Sequence, residues 1–155
     1  MNKTQELNCR NETHKHVRQV QMNLNLFVHE LIERGQRHDD SKFEEPELSI
    51  FAVNTELLGK TTYGSVEYEN LLEKVKVATT HHYDSNRHHT EHWENGVNDM
   101  SLVDLIEMIC DWKAATQRHK DGDIRKSLEI NAEKYKFSPQ LKQIFANTIN
   151  DHLDE

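Results

Sequence analysis

Ser101–Thr116 reads SLVDLIEMICDWKAAT, and its spacing decides the fold class. Leu102, Leu105, Ile106, Ile109, Trp112 and Ala115 or Thr116 recur at the intervals of an α-helix with one buried stripe. Ser101 with Asp104 makes an approximate capping box, so the helix starts there. One acid, Asp111, falls in its most apolar part, between Ile109-Cys110 and Trp112.

The same period extends outward in both directions. Val17, Val20, Leu24, Phe27, Val28, Leu31 and Ile32 predict a helix from about Thr13 to Arg34, with Gly35 as its C-cap. A second helix is expected from Pro46 to about Leu58, followed by the loop GKTTYGS. Tyr68, Leu71, Leu72, Val75 and Ala78 predict a third over Val66–Thr80 that stops near His81. Downstream, helices are expected over Ile124–Tyr135 and from Ser138-Pro139 to about Asn150. Tyr83–Asp99 is polar and reads as a long structureless segment, a kind that is usually functional. No strand pattern or repeat interrupts this series. The chain therefore reads as all-α: one bundle of about five to seven helices over residues 1–155, with residues 1–12 as a flexible lead-in.

A length of 155 residues is enough for a core without covalent staples. The apolar fraction is 35%, which suits helices that bury a stripe and leave a wide solvated face. A net charge of −8 argues against extended nucleic-acid binding, though bound cations would offset part of it. Cys9 and Cys110 form no CxxC motif, and Cys110 reads as a buried, reduced thiol. No apolar h-region or membrane span is visible, so a cytoplasmic protein is expected.

Of eleven histidines, five crowd into His81–Trp93, HHYDSNRHHTEHW. His38-Asp39 forms an adjacent pair upstream. Imidazole and carboxylate are the ligand types that hold Zn, Fe, Mn or Ni. His16 shares the inward helix face of Val20 and Leu24, whereas His14 and His29 fall on solvated faces. Asp104, Glu107 and Asp111 sit at i, i+3 and i+7, hence along one face. A cation would resolve their mutual repulsion if that face is buried; otherwise they form a solvated acidic stripe. A solvated loop is likewise the plain alternative for the histidine cluster, and for His81 and His92 the two readings are evenly matched.

The order His16, His38-Asp39, then a distant Asp111, all on helices, resembles the ligand order of the HD-domain superfamily. THKHVRQV, RHDDSKFEEPE, HHYDSNRHHTEHW, MSLVDLIEMICDW and the late SLEIN and NTI segments resemble the DUF5662 family of bacteria and phages, itself thought HD-like. The likeness runs from about Thr13 to Asn150. It implies one or two divalent ions (Mn, Fe, Co, Ni, Zn or Mg) held by His16, His38, Asp39 and Asp111, with Asp39 able to bridge. His82 and one of His88 or His89 would serve a second ion. Asn86 would orient a ligand or substrate oxygen, and His92, Glu91 and Glu107 would support ligands from behind. Lys42, in an HD-x-x-K arrangement, would meet a phosphoryl oxygen or tether a carboxylate. Asp40 reads as a helix cap or a general acid, Arg87 and Lys113 as contacts for an anion, and Trp93 and Tyr83 as stacking surfaces.

The reaction this implies is metal-dependent hydrolysis of a nucleotide or other small phosphate ester, with Asp39, Lys42, His82 and His89 carrying the chemistry. Two alternatives share the scaffold: a di-iron oxygenase, and a non-catalytic, metal-stabilised phage module that binds a nucleotide or protein. The sequence leaves the oligomeric state open.

Overall fold

The computed structural model describes residues 2–60, 66–118 and 122–154, apart from the side chains of residues 55, 58–60, 68, 69 and 72. Among these residues it contains six α-helices and no strand: α1 (Lys3–Arg37), α2 (Glu47–Lys60), α3 (Val66–Ser85), α4 (Leu102–Thr116), α5 (Ile124–Lys134) and α6 (Pro139–Thr148). The all-α class holds. Tyr68 and Leu72, and residues 61–65 of the expected loop, lie outside what is described. No helix among the described residues is long and apolar enough to cross a membrane.

The chain divides into two compact units, residues 1–37 and 38–155. The first is α1 alone, 35 residues long. It starts ten residues before Thr13, so residues 3–12 are helical, and it runs through Gly35 to Arg37. Gly35 is thus not its cap. Local ion pairs brace the helix, among them Glu6–Arg10 at 2.7 Å and Glu30–Arg34 at 2.8 Å, each worth a few tenths of a kcal/mol. No residue of α1 is buried, and His16, Val20 and Leu24, expected to face inward, are exposed. A single helix has nothing within its own unit against which to bury a stripe.

In the second unit, α4, α5 and α6 enclose a core of Met108, Ile109, Ile124, Leu128, Ala132, Phe145 and Ile149. Trp112, Phe137 and Phe145 close it with ring centroids 5.4–6.2 Å apart, a spacing at which aromatic pairs add to simple burial. Each helix starts on a side-chain cap. Ser101 and Asp104 form a reciprocal capping box for α4, Asp123 accepts from two backbone N–H groups of α5, and Ser138 accepts from Leu141 in front of α6, with Pro139 at its first turn. At the end of α5, Phe137 N donates to Ala132 O and Lys136 N to Glu133 O, a Schellman closure. It places Lys136 at a φ of 54° where glycine is usual.

α4 buries Ile109 and packs Leu105 and Trp112 against the core as expected. Leu102 and Ile106 are 73% and 42% exposed instead, whereas Val103, Asp104 and Met108 are buried. The buried face is wider on the side of Asp104, Glu107 and Asp111, where each acid finds a partner. Cys110 is accordingly exposed rather than buried. α3 runs past His81 to Ser85, and two 3₁₀ turns, Thr90–His92 and Gly96–Asp99, order the segment expected to lack structure.

Candidate metal centre

Three short elements of the second unit aim their polar side chains at one point. His38 and Asp39 precede the 3₁₀ turn Asp40–Phe43, His82 lies on the last turns of α3, and His88 and His89 sit just beyond it. Asp39, and not Asp40, is the N-cap of that turn, and it holds a left-handed backbone conformation with φ 59° and ψ 22°. Non-glycine residues rarely adopt that conformation, and it gathers at functional sites.

One donor atom from each of Asp39, His82, His88 and His89 lies within 4.8 Å of the others. His82 Nε2 is 3.3 Å and His88 Nε2 3.6 Å from Asp39 Oδ1, and His89 Nε2 is 2.8 Å from His82 Nε2. Ligands about 2.1 Å from one ion stand about 3.4 Å apart in a tetrahedron and about 3.0 Å apart in an octahedron. The observed spacings bracket those values.

The carboxylates behind the rings decide which nitrogen is bare. His82 Nδ1 is 2.9 Å from Glu47 Oε2, and His88 Nδ1 is 3.2 Å from Glu107 Oε1. Each Nδ1–H donates to its carboxylate, which leaves both Nε2 lone pairs directed toward Asp39. Asp39 Oδ1 and His88 Nε2 are buried and have no hydrogen-bond partner. Two bare electron pairs facing each other in a dry site are unfavourable unless something positive lies between them. A divalent cation fits this donor set.

Electrostatics agree. Burial pushes the His89 pKa down to about 4, and a proton on His88 or His82 acts in the same direction. Burial, followed by the charge of Lys42, also lowers His82. Burial opposes ionisation of Asp39, but Lys42, His38 and His82 outweigh it and hold the carboxyl below its usual range. His82 and His89 thus favour the neutral imidazole and Asp39 the carboxylate, the protonation states that bind metal.

His38, Glu107 and Asp111 form an adjoining group. His38 Nδ1 lies 3.0 Å from Glu107 Oε1, and its Nε2 lies 3.6 Å from both Asp39 Oδ2 and Asp111 Oδ1. Asp111 and then Glu107 push the His38 pKa up to about 10, against its burial. His38, Glu107 and His88 also offer donors within 4.8 Å of one another. Glu107 Oε1 thus faces the Nδ1 atoms of both rings. At neutral pH His38 carries a proton, and an ion binding there must displace it.

The remaining expected residues separate. Lys42 Nζ is 2.6 Å from Asp39 Oδ2 and tethers that carboxylate. Asn86 donates to Ser41 Oγ at 2.8 Å and to the His82 carbonyl at 2.7 Å, fixing the backbone under the ligand. Arg87 pairs with Asp104 at 3.2 Å and lies over the Trp93 ring at 4.4 Å, which occupies all three side chains structurally. The acidic face of α4 is therefore divided, with Asp104 on its cap and Arg87, and Glu107 and Asp111 on histidines. Lys113 bonds the Leu153 carbonyl, Glu91 bonds Lys134 and Tyr135, and His92 bonds the Tyr83 carbonyl, so none of the three faces the cage. His16 is exposed on α1, and the converging donors all belong to the second unit. Sequence reasoning missed Glu47. It is fully buried and accepts from both His81 Nδ1 at 2.8 Å and His82 Nδ1 at 2.9 Å. Its one signal was an acid directly after Pro46, which reads as an ordinary first-turn residue.

A family model described as a family of unknown function, DUF5662, matches residues 5–151. The chain belongs to the DUF5662 family. The match takes in every residue of the cage. No curated protein and no solved structure matches this DUF5662 chain.

The cage sets a pH dependence. His89 is neutral in the fold with a pKa near 4, against 6.5 for a free imidazole. Its contribution is complete above 6.5 and is lost as pH falls toward 4, because the unfolded chain protonates first. His38 has the opposite sign: its contribution is complete below 6.5 and is lost as pH rises through about 10. Urea melts of metal-free protein should show stability falling on both sides of neutrality. His89→Phe should flatten the acid limb, which is worth on the order of 2–3 kcal/mol; an unchanged limb would contradict the assignment.

Proposed function

We propose that this DUF5662 protein is an HD-like, metal-dependent phosphohydrolase acting on a small phosphate ester, with a nucleotide among the candidates. The observation that carries this reading is the buried, unpartnered pair of Asp39 Oδ1 and His88 Nε2 facing the bare nitrogen of His82. Support also comes from the sequence order of His38-Asp39 and Asp111, with Lys42 three residues beyond the pair.

A divalent ion held there supplies Lewis acidity to water and to a phosphoryl oxygen. The chain's own groups do the rest. Asp39 accepts a hydrogen bond from Lys42 Nζ on Oδ2, which leaves Oδ1 for the ion. The Lys42 side chain is 42% exposed, and its two other N–H bonds are free to meet a phosphoryl oxygen. His82 and His89 form the wall between the cage and a cleft that Lys42 also lines. Glu47 and Glu107 keep the ligand rings in the binding tautomer. His38 and Asp111 would hold a second ion only after His38 had lost its proton to solvent.

Purified protein loaded with Mn²⁺, Co²⁺, Ni²⁺ or Mg²⁺ should release phosphate from at least one member of a broad phosphate-ester panel. Bound metal with no turnover across the panel would overturn the hydrolase reading and leave a metal-stabilised binding module. The histidine-rich donor set, with His38 and Asp111 beside the cage, also favours a di-iron oxygenase as a second reading. An iron absorption spectrum after anaerobic purification separates the two.

A further inference from the structure

The cleft beside the cage has a volume of about 740 Å³, the size of sites that enclose a small organic ligand. Its lining is mixed in chemistry. His82, His89 and Lys42 contribute to it, while Leu48, Phe51 and Ala52 of α2 supply apolar surface. Tyr83 also lines it, its ring 4.8 Å from the His89 ring. Arg118 adds a second cation and Glu56 an acid, so the charged side chains lining the cleft, histidines apart, sum to +1, a balance that favours an anionic group.

Among the described lining residues, the stretch formed by Leu48, Phe51 and Ala52 carries no hydrogen-bonding side chain, the Glu56 acid and the Tyr83 phenol being the polar groups beside it. The Thr79 hydroxyl donates its proton to the Val75 carbonyl at 3.0 Å. Sugar hydroxyls placed against that apolar stretch would lose water without gaining partners from it. A flat hydrocarbon loses nothing polar and covers apolar surface.

Resting on the phosphohydrolase reading for the phosphate group, we propose that the cleft selects phosphomonoesters of flat, apolar alcohols over those of sugars or glycerol. Phosphate sits between the cage, Lys42 and Arg118, and the alcohol lies against Leu48 and Phe51.

The test is calorimetric titration of the full-length, Mn²⁺-loaded chain with benzylphosphonate and with methylphosphonate, neither of which is hydrolysed. Benzylphosphonate should bind at least about tenfold more tightly. Leu48 is 47% exposed, so substitution there spares the fold, as a melting curve will verify. Leu48→Asp should erase the preference and Leu48→Met should keep it. Equal affinities, no binding of either probe, or a preference indifferent to Leu48→Asp would each overturn the proposal. Phosphate release is scored separately. A benzyl preference without hydrolysis of any ester removes the reaction and leaves the cleft assignment standing. Hydrolysis of small alkyl esters without an aryl preference does the reverse.

Discussion

Asp39→Ala is expected to abolish ion binding and reduce any turnover to background, while helix content by far-UV circular dichroism stays that of the parent. Asp39 is the common member of the cage: its Oδ1 faces His82 and His88, and its Oδ2 holds Lys42. Removing it takes away the anionic donor, leaving imidazoles and a nearby ammonium that repel a cation. The loss should exceed the roughly 10–100-fold that outer partners of metal ligands cost. Alanine also strains the left-handed backbone at this position, so Asp39→Asn is the cleaner variant. Asparagine tolerates positive φ and keeps the shape but not the charge. Both variants should lose the ion by equilibrium dialysis. Retention of ion and activity in Asp39→Asn would mean that the carboxylate is not a ligand.

Glu47→Ala should weaken ion binding by roughly 10–100-fold and destabilise the metal-free chain by about 1–3 kcal/mol, the cost of leaving a buried N–H donor without its acceptor. Burial alone would raise the Glu47 pKa, but hydrogen bonds from His81 and Ser41 and the charge of His82 hold it low. The carboxylate is thus ionised inside the protein, and it keeps the His82 proton on Nδ1. Without it, the proton can move to Nε2 and remove the lone pair that faces Asp39. Glu47→Gln discriminates. An amide has one acceptor oxygen for two Nδ1–H donors, and His81, with its side chain 40% exposed, can change tautomer at little cost. The oxygen then serves His82, and binding should recover most of the way. Equal losses for alanine and glutamine would assign Glu47 a purely electrostatic role.

The helices that announce themselves by caps were the easiest to place from sequence. Ser101 with Asp104 and Ser138 with Pro139 both start helices where expected, because a cap is a local hydrogen-bond requirement that neighbouring residues satisfy alone. The face α4 buries was less legible. Apolar spacing placed Leu105, Ile109 and Trp112 at the core, but it also pointed to Leu102 and Ile106, which are exposed while the carboxylates of Asp104, Glu107 and Asp111 find partners. Their partners Arg87, His88 and His38 lie 17 to 73 residues away in sequence, and no helical periodicity records such pairs. α3 extends beyond Thr80 for a similar reason: His81 and His82 read as loop residues until Glu47, 34 and 35 residues earlier, gives both rings an acceptor.

For the site, residue type and crowding were enough to mark His38, Asp39, His82, His88, His89 and Asp111 as one chemistry. Both His88 and His89 prove to contribute donors, because a single turn after α3 brings consecutive rings to one side, with centroids 4.1 Å apart. His16 was placed by helical phase relative to Val20 and Leu24, and phase cannot say whether anything covers that stripe. Lys42 carried two readings, phosphoryl contact and carboxylate tether. Its 2.6 Å contact with Asp39 establishes the tether.

The most direct test is a crystal structure of the full chain grown with Zn²⁺ or Mn²⁺, with the ion located by its anomalous scattering. The account predicts an ion about 2.0–2.2 Å from Asp39 Oδ1 and from the Nε2 atoms of His82, His88 and His89. Full ion occupancy at some other place, with Asp39 and His88 still facing one another across a vacant gap, would contradict it.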